Sequence, residues 1–317
     1  MSCTTNQDPT PNPPANVEDI LHEAAAGEID SGRIAELSDP SRDQLHAFST
    51  AWAALPASAR REIVREMRRQ AEENLALDFS RYFRATLSDH DDEVRALAVR
   101  ALWEDDTRSF LEEISDLALS ETSAPVQEAI AATLATFSYQ VELEEVDAIA
   151  AARVQRALFH LLEDGANWMV RRRALESAAY MSRNQRVKDA IQSAYESDFE
   201  QECAGALVAM GRNLDPDWFP IIRRELTNQD PDIRCEAARA AGEFGDPAVI
   251  DDLARMIDDE DDEIREVSVR SIGKIGGRRA IDTLRYLETQ TGDDMKPVVQ
   301  SAIEEAEFLA ESTGMEE

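Results

Sequence analysis

One spacing constrains this chain more than any other feature. An apolar residue followed by an arginine or a polar residue recurs after a carboxylate-rich or polar turn. The series runs Val94-Arg95, Val126-Gln127, Val170-Arg171, Gln201-Glu202, Ile233-Arg234 and Ile264-Arg265, with a degenerate copy near Val298-Val299. Successive intervals are 32, 44, 31, 32 and 31 residues. Four positions after each apolar residue (position zero) stand Ala98, Ile130, Ala174, Gly205, Ala237 and Ser268, mostly small. A small side chain there lets neighbouring helices approach closely. A fixed period with one supersecondary unit per period means a stack of like units rather than a closed globule.

The unit is clearest from Leu226 to Pro247. Asp230-Pro231-Asp232 marks a turn whose carboxylates cap the following helix. Ile233, Ala237, Ala240 and Ala241 then fall at helical spacing, and Gly242 and Gly245 are expected to end the helix. Asp246-Pro247 starts another, because proline at the first helical position loses no hydrogen bond. Each unit is therefore a helical hairpin. The expected fold is an all-α, right-handed α-solenoid with no sheet. The one interval of 44 is expected to hold a longer loop and helix start between Ser138 and Ala152.

The stretches DHDDEVRALAVRAL from Asp89, NQDPDIRCEAARAAGEFGDP from Asn228 and DEDDEIREVSVRSIGKIGG from Asp259 resemble HEAT repeats, specifically the short subclass also found in phycobilisome lyases. The resemblance covers roughly residues 76–305; the copies at Val126 and Gln201 lack the arginine. It implies a solenoid fold, whereas function does not follow from it, since such solenoids serve many tasks. A bilin or chromophore lyase-like activity, or another enzyme-accessory role, is the alternative the subclass suggests, but no catalytic residue carries over.

Charge narrows the partners. Lys+Arg number 33 against 65 Asp+Glu, a net charge of −32. Such a surface repels nucleic-acid phosphates and anionic lipids, so neither is an expected partner. Salt adaptation and selection for a basic partner both explain the acidity; the spread of acids along the whole chain favours the first. Cys3, Cys203 and Cys235 are too few and odd in number for a disulfide framework, which points to a reducing, cytoplasmic setting. No signal-like segment and no run of 18 apolar residues occurs, so secretion and membrane spanning are not expected.

Along the chain, residues 1–15 are proline-rich and read as a disordered tail. Residues 16–75 read as an N-terminal helical cap, 76–310 as the repeat solenoid, and 311–317 as an acidic tail. In the cap, Val17 to Ile29 reads as an amphipathic helix and Leu45, Phe48, Trp52 and Leu55 as a buried seam. Ile63, Val64, Met67 and Leu75 supply the apolar face of the next segment. Its Arg60, Arg61, Arg65, Arg68 and Arg69 form the densest basic cluster, read as a face neutralised by Glu62, Glu66 and Glu72. Trp103 is expected to fill a gap, and Trp218 to pack against a neighbouring repeat. Arg171 reads as the structural arginine of its repeat, pairing with a turn carboxylate, which leaves Arg172 and Arg173 unexplained. The acidic run Asp258–Glu263 reads as a helix-capping turn, since it lacks the ligand spacing and mid-loop glycine of a calcium loop.

Catalytic motifs are absent. The histidines are scattered, with a single His-Glu pair at His22-Glu23, and no HExxH, CxxC, GxSxG or phosphate loop occurs. No catalytic residue, cofactor or metal is expected. The expected function is a non-catalytic scaffold or adaptor that binds a protein partner on the concave face formed by the second helices. Positions two and six after position zero would face that groove. From these columns and the neighbouring anomaly, the candidate contacts are Arg100, Arg172, Arg173, Cys203, Leu207, Cys235, Arg239 and Arg270.

Overall fold

The computed structural model describes residues 16–27 and 30–313. The tail at 1–15, with Cys3, lies outside the described residues, as do Glu28, Ile29 and 314–317 of the acidic tail. Among the described residues there are eighteen α-helices and no strand, and the repeats build an all-α solenoid. The chain divides into two compact units, Met1–Asp105 and Asp106–Glu317.

The first unit holds α1 (Val17–Ala25), α2 (Ser31–Ala35), α3 (Arg42–Trp52), α4 (Ala57–Glu73), α5 (Ser80–Thr86) and α6 (Asp92–Ala101). Phe48, Trp52, Leu55, Ile63, Val64 and Met67 are buried together with Tyr82 and Phe83. Each such large apolar side chain contributes about 1.5–3 kcal/mol on burial. Phe48 stacks on Trp52 at 4.7 Å and meets Tyr82 at 4.5 Å. Leu75 does not join this face: α4 stops at Glu73, and Leu75 is 81% exposed. The basic cluster of α4 is met by carboxylates. Arg60 bonds Asp89 at 3.1 Å, Arg61 bonds Asp91 at 2.5 Å, Arg68 bonds Glu72 at 2.8 Å and Arg69 bonds Glu66 at 2.6 Å, while Arg65 pairs with Glu62 and Glu93. Trp103, expected to fill a gap, is 60% exposed and stands two residues beyond the end of α6.

The second unit is six hairpins: α7 (Arg108–Ala118) with α8 (Ala124–Glu142), α9 (Ala148–Asp164) with α10 (Trp168–Ala178), and α11 (Gln185–Tyr195) with α12 (Glu200–Asn213). Then come α13 (Phe219–Glu225) with α14 (Pro231–Phe244), α15 (Ile250–Arg255) with α16 (Asp262–Ile275), and α17 (Gly277–Gln290) with α18 (Lys296–Thr313). The second helices α8, α10, α12, α14, α16 and α18 pack one on the next in a row. The long interval is not a long loop. Its extra residues extend α8 to 19 and α9 to 17 residues, leaving only a short connection at 143–147. Residues 311–313 of the expected tail continue α18.

Helix caps settle the register. Position zero lies three residues after the N-cap in α6, α8, α10, α14 and α16, whose caps are Asp91, Ser123, Asn167, Asp230 and Asp261. In α12 the N-cap is Phe199, so position zero is Glu202 rather than Gln201. The apolar marker is missing there, which is why the sequence alone misplaces it by one. The small position of α12 is thus Ala206, wholly buried like Ala98, Ala174, Ala237 and Ser268.

Glycine has a different role from the expected one. Gly245 does terminate α14, with φ +76°. Gly242 and Gly273 instead lie inside their helices, nine residues after position zero, as does Gly211. A Cβ would fall 2.8 Å from Ala240 Cα at Gly211, 2.9 Å from Ser271 Cα at Gly242, and 3.0 Å from Ala302 Cα at Gly273. These glycines let α12, α14, α16 and α18 touch backbone to backbone, which offsets the roughly 1 kcal/mol that glycine costs within a helix.

The repeat arginine anchors the turn. Arg95 donates to Asp89 O at 2.8 Å, Arg234 to Asn228 O at 2.9 Å and Arg265 to Asp259 O at 2.9 Å; Arg171 reaches Gly165 O at 3.5 Å. The partner is thus a backbone carbonyl six residues back, and carboxylates are added from the next repeat: Asp259 bidentately for Arg234, and Glu202 at 3.7 Å for Arg171. Gln127 replaces the arginine in α8, donating to Glu121 O at 2.8 Å and accepting from Ala166 N at 2.9 Å.

Candidate protein-binding cleft

The face of the second helices is built from residues three and four apart. On α10 these are Trp168, Met169, Arg172, Arg173 and Glu176, with Tyr180 just beyond. On α12 they are Val208 and Arg212, and on α14 Glu236, Arg239, Ala240 and Glu243. Together with Glu128 of α8 they line a cleft of about 480 Å³. Trp168 stands at the first helical position, after the Asn167 cap, and is 41% exposed; Met169 beside it is also exposed.

Glu176 is the centre of this arrangement. Its buried carboxylate accepts from Arg172 Nε at 2.8 Å through one oxygen and from Arg173 Nη1 at 2.8 Å through the other. Arg212 Nη1 lies 3.9 Å from that second oxygen and donates to Glu176 O at 3.0 Å. The Arg212 guanidinium also lies 5.6 Å from the centre of the Tyr180 ring. A buried carboxylate needs such partners to remain charged. Arg172 reaches further, to Glu236 at 3.1 Å, so one guanidinium joins α10 to α14 across α12. Burial works to lower the pKa of Arg172, but bonding to Glu176 and the charges of Glu176 and Glu236 outweigh it and raise it. The triple arginine is thereby accounted for: Arg171 holds the turn, while Arg172 and Arg173 hold Glu176.

The remaining candidates are dispersed. Arg239 lines the cleft and pairs with Glu263 at 2.6 Å. Cys235, only 9% exposed, sits under an adjoining hollow of about 220 Å³ that Arg172 and Arg239 also border. Burial pushes its thiol up to about 11 and raises that of Cys203, so neither is a thiolate nucleophile near neutral pH. Cys203 sits one residue after position zero and does not line the cleft. Leu207 is wholly buried, five residues after position zero, in the core column with Leu175, Ala238 and Val269. It cannot touch a partner on this face; Val208 occupies the groove position. Arg270 is exposed on α16, bonded to Glu266 at 2.8 Å, and Arg100 is exposed on α6 in the first unit.

Reading only positions two and six missed Trp168, Met169, Tyr180 and Arg212. The signal was one helical turn away in each direction. Tyr180, Arg212 and Glu243 stand ten residues after position zero, four beyond the sixth position, and so share its face. Among the described residues no group of three His, Cys, Asp or Glu is placed to hold a metal ion. Nor is any helix among them long and apolar enough to cross a membrane.

Residues 219–306 match a family model described as HEAT repeats. The match is to these repeats in general and does not single out the lyase subclass. No curated protein matches the sequence. Solved structures of similar shape include the E. coli protein YibA, 15% identical, covering 80% of this chain and 98% of that one at a TM-score of 0.43. An engineered protein is 16% identical over 92% of this chain and 88% of its own, TM-score 0.44. Human deoxyhypusine hydroxylase in complex with glycerol is 11% identical over 92% and 97%, TM-score 0.34.

Proposed function

We propose that this chain, whose residues 219–306 match HEAT repeats, is a non-catalytic scaffold whose second helices α8, α10, α12 and α14 hold a protein partner. One observation carries the reading. In a chain of net charge −32, the cleft brings four arginines, Arg172, Arg173, Arg212 and Arg239, beside exposed Trp168 and Met169. Arginine, tryptophan and methionine are enriched where proteins meet, because they combine apolar area with directed hydrogen bonds.

The test is position-specific photo-crosslinking in extract of the native host. A benzophenone side chain replaces Met169 or Arg239 in the cleft, or Arg223 on α13 as the comparison. Discrete adducts from both cleft positions, absent from Arg223, support the reading; adducts confined to Arg223 would relocate the partner to the first helices. Charge reversal provides a second arm. Reversal at Arg239 should weaken capture of the partner crosslinked from position 169, whereas reversal at exposed Arg270 on α16, outside the cleft, should not.

A further inference from the structure

The cleft also indicates what kind of segment it would take. Arg172 is committed to Glu176 and Glu236. Arg173 makes one hydrogen bond among the described residues, to Glu176, and its side chain is 40% exposed. Arg212 likewise makes one hydrogen bond among the described residues, to the Glu176 carbonyl, and its side chain is 27% exposed. Both guanidiniums therefore converge on one carboxylate oxygen from two helices, α10 and α12, with unused donors. A guanidinium carries five N–H groups in fixed geometry and suits a second carboxylate. One turn before Arg173 on the same face stands Met169, and beside it Trp168, both open to solvent.

We propose that the cleft binds an extended protein segment bearing an Asp or Glu a few residues from a large apolar side chain, with Arg173 and Arg212 holding the carboxylate and Trp168 and Met169 the apolar group. This rests on the reading of the cleft as the partner site. A monoanion fits better than a phosphate. The cleft lines up four arginines against four glutamates, Glu128, Glu176, Glu236 and Glu243, so it offers directed donors but little net positive potential for a dianion. The surrounding acidic surface repels a long acidic tract as well, which limits the segment to one or two acids.

The test uses a phage-displayed library of random 12-residue peptides selected on the full chain. Enriched peptides are resynthesised with a dye and measured by fluorescence anisotropy. The enriched pool should carry an Asp or Glu near Trp, Phe, Leu or Met. Exchanging the acid for its amide should weaken binding about tenfold, the order expected for a charge-assisted bidentate pair. Arg173→Gln and Trp168→Ser should weaken it similarly, and Arg223→Gln should leave it unchanged. Glu236→Gln removes a competing carboxylate from Arg172 and should tighten binding a few-fold, a gain that a merely structural role for these residues would not produce. Where Arg173→Gln melts early, Arg173→Lys keeps the charge without the fork and should bind with intermediate strength. Peptides that need Trp168 but ignore Arg173 and carry no acid would overturn the carboxylate anchor and leave the cleft as the site. Peptides indifferent to every cleft variant would overturn both readings, and so would a pool with no enrichment. A stronger response to phosphoserine than to Glu at the same position would replace the carboxylate by a phosphate.

Discussion

At the level of single residues, two carboxylates in the first unit make stability depend on acidity. Hydrogen bonding from Arg69 holds Glu66 down to about 2, against the opposing effect of burial, with Gln70 and Ser31 adding to it. Hydrogen bonding from Arg61 likewise holds Asp91 down to about 2. A carboxyl whose folded pKa lies below its unfolded value binds protons more readily in the unfolded chain. Its contribution is therefore complete above about pH 5 and is lost as pH falls toward 2. Chemical denaturation between pH 6 and 2.5 should show this acid limb, and Glu66→Gln and Asp91→Asn should each flatten it. An acid limb of unchanged slope in both variants would mean that these pairs do not govern it. Close approach predicts a second effect. Gly242→Ala places a methyl 2.9 Å from the Ser271 Cα, where backbone must move, so it should destabilise by about 1–3 kcal/mol despite alanine's better helix propensity. Urea titration measures the difference.

Among the elements, the hairpin depends on what locks its turn and what fills its seam. Ala237 is wholly buried where α14 meets its neighbours, so Ala237→Leu should cost about 1–3 kcal/mol by overpacking. Arg239→Leu, two residues on, exchanges an exposed ion pair worth about 0–1 kcal/mol and should barely alter folding. Equal losses in urea titrations of the two variants would refute the helix register. The anchoring arginines are not equivalent either. Arg234 donates to Asn228 O, Gln229 O and both oxygens of Asp259, whereas Arg171 has one long contact to a carbonyl and a carboxylate at 3.7 Å. Arg234→Ala should therefore lower stability by roughly 2–3 kcal/mol and Arg171→Ala by less than half of that, as followed by thermal unfolding.

For the whole molecule, the excess of 32 negative charges is the dominant electrostatic fact. Many cations are already paired, among them every arginine of the α4 cluster, so added salt screens repulsion between unpaired acids more than it weakens attraction. Raising sodium chloride from 0.05 to 1 M should raise the melting temperature; a fall would mean that the ion-pair ladders outweigh the repulsion.

The sequence by itself determined the hairpin, its period and, in α14 and α16, the carboxylate cap and the small position that seats neighbouring helices. These follow from local spacing, where a turn carboxylate or a small residue acts on the helix that it begins or belongs to. Only the tertiary structure decided the register of α12, because the apolar marker is replaced by Glu202 and the helix cap alone reveals the shift. That single residue moved Leu207 from the groove into the core and removed Cys203 from the cleft. Of the residues that line the cleft, Arg172, Glu176 and Arg239 stand at positions two and six after position zero, and Arg173 in the triple arginine that the repeat pattern left unexplained. Trp168, Tyr180 and Arg212 lie outside those columns, and the gathering of arginines on Glu176 was not legible because Arg212 comes from 36 residues further along the chain. Local spacing sets which face a side chain takes. Which distant faces converge is set by how closely the glycine and alanine seams allow the helices to stack.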